Sequence, residues 1–352
     1  MDIALGTAIS LPRHESSEEC GLVKWLHNAA RLASQAFLRG RAQIVVWTNA
    51  AGANFTQAAC PSCGARIVPF DADLLAVVDA WATAADPPGE EGWRGPGEKR
   101  HSLGLRTSFG SRTALLKWQA VRHVEYRLIF LTDADVDIFG GLGAGGKSAA
   151  AGGALSWEAA AQRAWSEGVE RLLASHTELV ASADHESPVN TGVLLIRPRL
   201  ATYWRGFQAL SRLQFNYSHG FEGRGTPCEV LGTRAIQHSR VSWAVRRCSW
   251  NFVGGNADQG LFTYIYGGIR STLAFAGLKG YSVVHHWSHF KPWTMRSRRW
   301  CLRWFDFLDR LDVAANRSRC AADLWLRRRR IEALNASDVR VRCAGDTPLV
   351  FP

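Results

Sequence analysis

The sequence predicts an α/β protein with a mainly parallel central sheet and helices on both of its faces. Two observations carry this. Short apolar runs, rich in β-branched and aromatic residues, alternate with longer segments whose apolar residues recur at the helical period. Strands separated by helices in this way pair in parallel, through crossovers. At the centre lies Tyr126 to Phe139, YRLIFLTDADVDIF, which opens as a buried strand too short to be a helix and ends in closely spaced acids.

Residues 3 to 9 read as the first strand. The N-terminus carries no basic n-region, so it is a better strand than signal peptide. Leu22, Val23, Trp25, Leu26, Ala29, Ala30 and Leu32 are spaced for a helix within 20–37. Residues 44–49 and 65–70 are strands two and three, and 74–84 is a helix. A Pro/Gly-rich loop occupies 86–99, and a helix over 111–124 feeds the central strand. The Gly/Ala tract at 140–154 reads as a flexible insertion. A helix over 157–175 leads to strands at 178–184 and 189–198. A helix over 200–213, a Gly-rich loop from 219 to 233, a helix opening near Asp258 and a strand over 281–287 follow. From Met295 the chain is basic and Trp-rich, with Trp300, Trp304 and Leu308 at four-residue spacing, a helical pattern. The organisation expected is one domain over 1–293 and a helical C-terminal extension over 294–352.

The central strand carries the chemistry. It runs into Asp133 and Asp135, and alternation in an extended chain puts both carboxylates on one face. Two such acids repel unless a cation lies between them, and oxygen ligands suit Mg²⁺ or Mn²⁺, metals that favour a diphosphate. A polar turn capping the strand is the plainer reading. A second DAD, Asp71 to Asp73, serves as an internal control. It runs straight into an apolar-periodic segment, so Asp71 is a helix N-cap and Asp73 a first-turn acid.

Whole-chain properties bound the function. No stretch reaches the roughly 18 to 20 apolar residues of a membrane span. The net charge is +11, concentrated towards the C-terminus. Such an excess suits anionic donors, acidic glycans, a membrane surface or nucleic acid, and equally a solvated basic helix. Cys60 and Cys63 form one CxxC with no second ligand pair at metal spacing: a local disulfide, a reduced turn or half of a site. Sequons at Asn54, Asn216, Asn316 and Asn335 lean towards a Golgi or other secretory lumen, with the cytoplasm as the alternative. Gly141 to Ser148 formally fits a phosphate loop, but Gly152 and Gly153 interrupt the helix such a loop needs.

Four further segments carry polar groups at strand ends or helix starts: Lys117 before the central strand, Asn190-Thr191-Gly192, Asp258-Gln259, and His285 with Lys291 following six residues later. With LTDADVDIF, NTGVLLIRP, NADQGLF and VVHHWSHFKPW in this order, the chain resembles the family 8 retaining glycosyltransferases, which include glycogenin and lipopolysaccharide galactosyltransferases. The resemblance spans Lys117 to Trp293 and implies a GT-A fold, a nucleotide-binding α/β sheet. It implies Mn²⁺ (or Mg²⁺) held by Asp133, Asp135 and His285, and a UDP-sugar as donor. Lys291 would pair with the diphosphate and Lys117 would lie near the donor sugar. Asn190, Asp258 and Gln259 would bind sugar hydroxyls, and Thr7 would line the uridine pocket. Catalysis would rest on Asp258, Gln259 and Lys291. The acceptor would be a glycan, protein or lipid, with no nucleic acid partner, and the basic C-terminal region could meet a membrane surface.

Some features depart from the family. Ser288 stands where a Gly is usual, and three histidines in HHWSH compete as ligand, with His285 favoured by its spacing to Lys291. The Gly/Ala insertion and the basic tail are unusual too. The alternative from another class is a basic module that binds polyanions or nucleic acid without catalysis, which gives no reason for acids at a strand mouth. A nucleotide hydrolase using Lys147 is a weaker rival.

Overall fold

The computed structural model describes residues 2–11, 17–84, 114–134, 136–137, 169, 172, 175–182, 187–238, 248–250, 252, 254–270, 272–275 and 284–285. The loop over 86–99, the insertion at 140–154, most of the expected helix over 157–175, Asp135, Lys291 and the extension over 294–352 lie outside them.

The strands are β1 (Ile3–Ile9), β2 (Ala42–Thr48), β3 (Arg66–Pro69), β4 (Leu128–Thr132), β5 (Val136–Asp137), β6 (Leu179–Ser182), β7 (Asn190–Ile196), β8 (Phe215–Asn216), β9 (Gly220–Phe221), β10 (Leu273–Phe275) and β11 (Val284–His285). Seven of them form one sheet in the order β10-β6-β7-β4-β1-β2-β3. It is the mainly parallel α/β sheet predicted from the sequence, with one reversal. β7 runs antiparallel to both β4 and β6, while the other pairings in the sheet are parallel. The alternation rule missed this because the β6–β7 connection, 183–189, is too short for a crossover, and a short connection forces an antiparallel pair. The reversal matters for function: the start of β7 lies at the same sheet edge as the ends of β1 and β4.

Both faces of the sheet are buried, as strands flanked by helices require. Val45, Trp47, Ile129 and Leu131 face one apolar cluster. Their neighbours Ile44, Val46, Leu128 and Phe130 face the other. Gly6 on β1 makes room for this packing, since a Cβ there would sit 2.3 Å from the Trp47 ring.

The helices are α1 (Ser17–Ala33), α2 (Ala50–Ala59), α3 (Ala72–Ala84), α4 (Leu200–Ser211), α5 (Pro227–His238) and α6 (Asp258–Phe262), which continues as a π-helix over Thr263–Ile269. None of the described helices is long and apolar enough to cross a membrane. Asp71 caps α3: its Oδ1 accepts from the backbone N–H groups of Asp73 (3.0 Å) and Leu74 (3.1 Å), and its other oxygen pairs with Arg122. The helix expected over 111–124 is a 3₁₀ helix over Lys117–Arg122 in its second half. The expected loop from 219 to 233 is instead largely β9 and α5. Thr226, Pro227 and Glu229 form a capping box: the Glu229 side chain accepts from Thr226 N (2.6 Å), and Thr226 Oγ1 accepts from Glu229 N (3.3 Å). That signal is legible in the sequence, but the surrounding glycines masked it.

Beneath α6 the aromatic rings of Trp81, Phe221 and Tyr264 stack. Trp81 Nε1 donates to the Asn256 carbonyl (2.9 Å), which ties α3 to the loop that launches α6. Next to these rings Glu222 sits in the left-handed region (φ 56°), bonded by Arg205, Arg212 and Tyr264. Burial alone would raise the Glu222 carboxyl, but these donors, Arg205 foremost, hold it below the ordinary value of 4.5. A depressed carboxylate stabilises the fold fully above its unfolded value, and the contribution is lost as pH falls through the folded one. Glu222→Gln is therefore expected to cost about 1.5–3 kcal/mol at pH 7. The gap from wild type should shrink as pH falls below 4.5. Urea melts at several pH values check this; a gap that stays constant down to acid pH would count against it.

Candidate active site

The site forms where the end of β4, the start of β7, the 3₁₀ helix at Lys117 and the start of α6 converge. Lys117 is buried, and its Nζ lies 2.6 Å from Asp133 Oδ1 and 3.0 Å from Asp258 Oδ2. Thr191 Oγ1 also donates to Asp258 Oδ2. One ammonium thus bridges two carboxylates from segments 125 residues apart in sequence (258 minus 133). Burial works to remove the Lys117 proton, but Asp133 and then Asp258 outweigh it, and the group stays charged well above the usual lysine range.

Local structure explains each placement. Asp133 N–H donates to Gly192 O (2.9 Å), continuing the β4–β7 ladder one residue past the strand. Asn190 turns inward, and its Oδ1 accepts from Gly192 N (2.7 Å), an Asx turn that sets the start of β7. α6 packs against its own entry loop so closely that a Cβ on Gly260 would lie 1.7 Å from Gly255 O. Glycine is what this close approach to the entry loop requires.

A turn follows Asp133 at the end of β4, and the expected place of Asp135 on the same face lies outside the described residues. Val136 N–H donates to Asp133 O (3.0 Å), so the segment closes a turn after β4, and period-two alternation applies only to extended backbone. β5 resumes beyond the turn and pairs with β11, with His285 opposite Val136 and Val284 opposite Asp137. This register brings the backbone of His285 beside the residue next to Asp135.

Of the expected residues, Lys117, Asp133, Asn190 and Asp258 meet at one edge, and Gln259 follows Asp258. Thr7 lies on β1, the strand next to β4, one residue beyond its last paired position there. Asp135 and Lys291 lie outside the described residues, as does the side chain of His285. Sequence reasoning missed two contributors. Thr191 was overshadowed by Asn190 beside it. Trp25, read only as a core position of α1, donates from Nε1 to Thr132 Oγ1 (2.6 Å), just before Asp133.

Within the described part of the site, Asp133 could supply one oxygen ligand to a divalent cation. Asp133 is the accessible acid, with a side chain 28% exposed, against 7% for Asp258. A carboxylate has lone pairs enough for an ammonium and a metal together. Thr7 Oγ1 and Gln259 Oε1 are buried with no hydrogen-bond partner among the described residues, and buried polar atoms are ordinarily satisfied.

No family model matches the sequence, and no curated protein matches it. Solved structures do match. One is mouse xyloside xylosyltransferase 1 in its apo form, at 11% identity and a TM-score of 0.39, covering 79% of this chain and 85% of that one. Another is the galactosyltransferase LgtC in complex with donor and acceptor sugar analogs, at 12% identity and a TM-score of 0.40, covering 89% of this chain and 97% of that one. Both structural neighbours are glycosyltransferases.

Proposed function

We propose that the protein is a metal-dependent retaining glycosyltransferase that moves a hexose-type sugar from a UDP-sugar to a glycan, protein or lipid acceptor. The observation that carries this reading is the buried Lys117 bridge between Asp133 and Asp258 at one sheet edge. It fixes an acid that can face a metal beside an acid that can face a sugar.

In this reading Asp133, Asp135 and His285 hold Mn²⁺ or Mg²⁺, which would act as a Lewis acid for the leaving UDP. A leaving nucleoside diphosphate gains about one negative charge, so Lys291 supplies a second cation at the diphosphate. Thr191 and Lys117 fix the orientation of Asp258 through its Oδ2. Asp258 therefore presents a charged, immobile acceptor to sugar hydroxyls, and Gln259 Oε1 presents a neutral one. Thr7 Oγ1 offers a hydroxyl to the base or ribose.

The test is thermal unfolding with UDP, Mn²⁺ and both together. Saturation at about 100 times the dissociation constant adds about 2.7 kcal/mol of stability, and UDP should require the metal. A screen of donor hydrolysis across UDP-sugars then names the sugar. Stabilisation by polyanions and not by UDP with Mn²⁺ would instead favour the non-catalytic binding module.

A further inference from the structure

A second group of metal-binding side chains lies on the chain, of different chemistry from the candidate active site. The sequence left the CxxC at Cys60 and Cys63 without a third ligand. The fold supplies one. Donor atoms of His27, Cys60 and Cys63 all lie within 4.8 Å of one another, the one such trio of His, Cys, Asp or Glu among the described residues.

The placement has a clear local cause. Cys60 is the C-cap of α2, and Pro61–Cys63 forms a 3₁₀ turn. Gly64 then takes the left-handed conformation (φ 61°, ψ 30°) that ends the turn and that side chains rarely adopt. This tight turn brings the two sulfurs together, and they are joined here as a disulfide. His27 comes from α1, whose next carbonyl towards the N-terminus, Leu26 O, lies 3.8 Å from Cys63 Sγ. Cys60 is 6% exposed, while His27 and Cys63 are only partly buried, so a solvent ligand can reach the group.

We propose that Cys60, Cys63 and His27 form a redox-gated site for Zn²⁺. A dithiol reductant opens the disulfide with two electrons and two protons, giving two thiols and the oxidised, cyclic form of the reductant. Zn²⁺ then displaces one proton from each thiol and is held by two thiolates, the imidazole and a water. Zinc takes sulfur at about 2.3 Å and nitrogen at about 2.0–2.1 Å in a tetrahedron, which puts its ligand atoms roughly 3.5–3.8 Å apart, inside the spread observed once the sulfurs part. Two thiolates and an imidazole select Zn²⁺ over Mn²⁺ or Mg²⁺, the hard cations suited to Asp133. The metal would clamp α1 to the end of α2. This inference is independent of the transferase reading and does not involve nucleotide.

The experiment uses the full chain and Co²⁺ as a spectroscopic stand-in for Zn²⁺, because only thiolate ligands give a near-ultraviolet sulfur-to-cobalt charge-transfer band. Protein reduced with a dithiol and desalted without oxygen is expected to bind one Co²⁺ with that band and tetrahedral visible bands. Zn²⁺ should displace it, and the oxidised protein should show none of this. Cys63→Ser should abolish the band. His27→Gln, milder for the fold, should weaken Co²⁺ binding by at least about tenfold. Cys228→Ser with Cys248→Ser, which removes the other disulfide among the described residues, should leave the band intact. The proposal is overturned if reduced wild type shows no thiolate band, or if the band survives Cys63→Ser. It is equally overturned if His27→Gln, folded by circular dichroism, binds Co²⁺ as wild type does.

Discussion

Asp133→Asn is expected to cut sugar transfer by about 10²–10³ and to weaken metal-dependent binding of UDP while the protein stays folded. Asparagine keeps the shape of the side chain and removes its charge, so it spares the packing of β4 against β7. It removes the more exposed of the two described acids of the site, the one with 28% of its side chain exposed. Loss of a single charged group that stabilises a leaving group costs about 10²–10³ in turnover, roughly 3–4 kcal/mol of barrier. The control is Asp71→Ala in the other DAD. It deletes the α3 N-cap bonds to Asp73 and Leu74 and should lower stability by about 0.5–2 kcal/mol with turnover unchanged. Steady-state kinetics beside urea melts separate the two. Were Asp71→Ala to kill turnover and Asp133→Asn to spare it, the assignment of the two motifs would be reversed.

Lys117→Met should produce the largest loss of stability of any single substitution discussed. It leaves the buried Asp258 and the partly exposed Asp133 without their shared cation. Removing one partner of a buried ion pair costs about 3–5 kcal/mol. The raised pKa of Lys117 sets the sign with pH. Its contribution is fully present below the ordinary lysine value of 10.5 and is lost only as pH rises through the higher folded value. The deficit of the variant should therefore be flat across neutral pH. Saturating Mn²⁺ should recover part of it, because a metal at Asp133 restores positive charge. Urea unfolding with and without Mn²⁺ measures both effects. A deficit under about 1 kcal/mol would mean that the bridge is not maintained in solution.

Much of this was written in local sequence. The apolar runs fixed where β1, β2, β4 and β7 lie, and the helical period fixed α1 and α3, because burial on both faces leaves a pattern within a few residues. Asp71 read correctly as an N-cap because capping needs only its own next three residues. The direction of β7 was not read, although a short connection announced it. The turn after Asp133 was only one of two readings, since nothing in DAD distinguishes an extended acid pair from a polar turn that caps a strand.

The sequence by itself determined the α/β class, the order of its strands and helices along the chain, and the polar residues placed at their ends. Periodicity and capping act over single turns, so one segment suffices to express them. Tertiary structure alone decided the partners. Lys117, Asp133, Thr191 and Asp258 meet because β7 reverses beside β4 and because the start of α6 packs against β7. His27 meets Cys60 and Cys63 because α1 packs against the end of α2. Charge and ligand contacts between residues tens of positions apart depend on how the chain closes in space, and no local pattern records that.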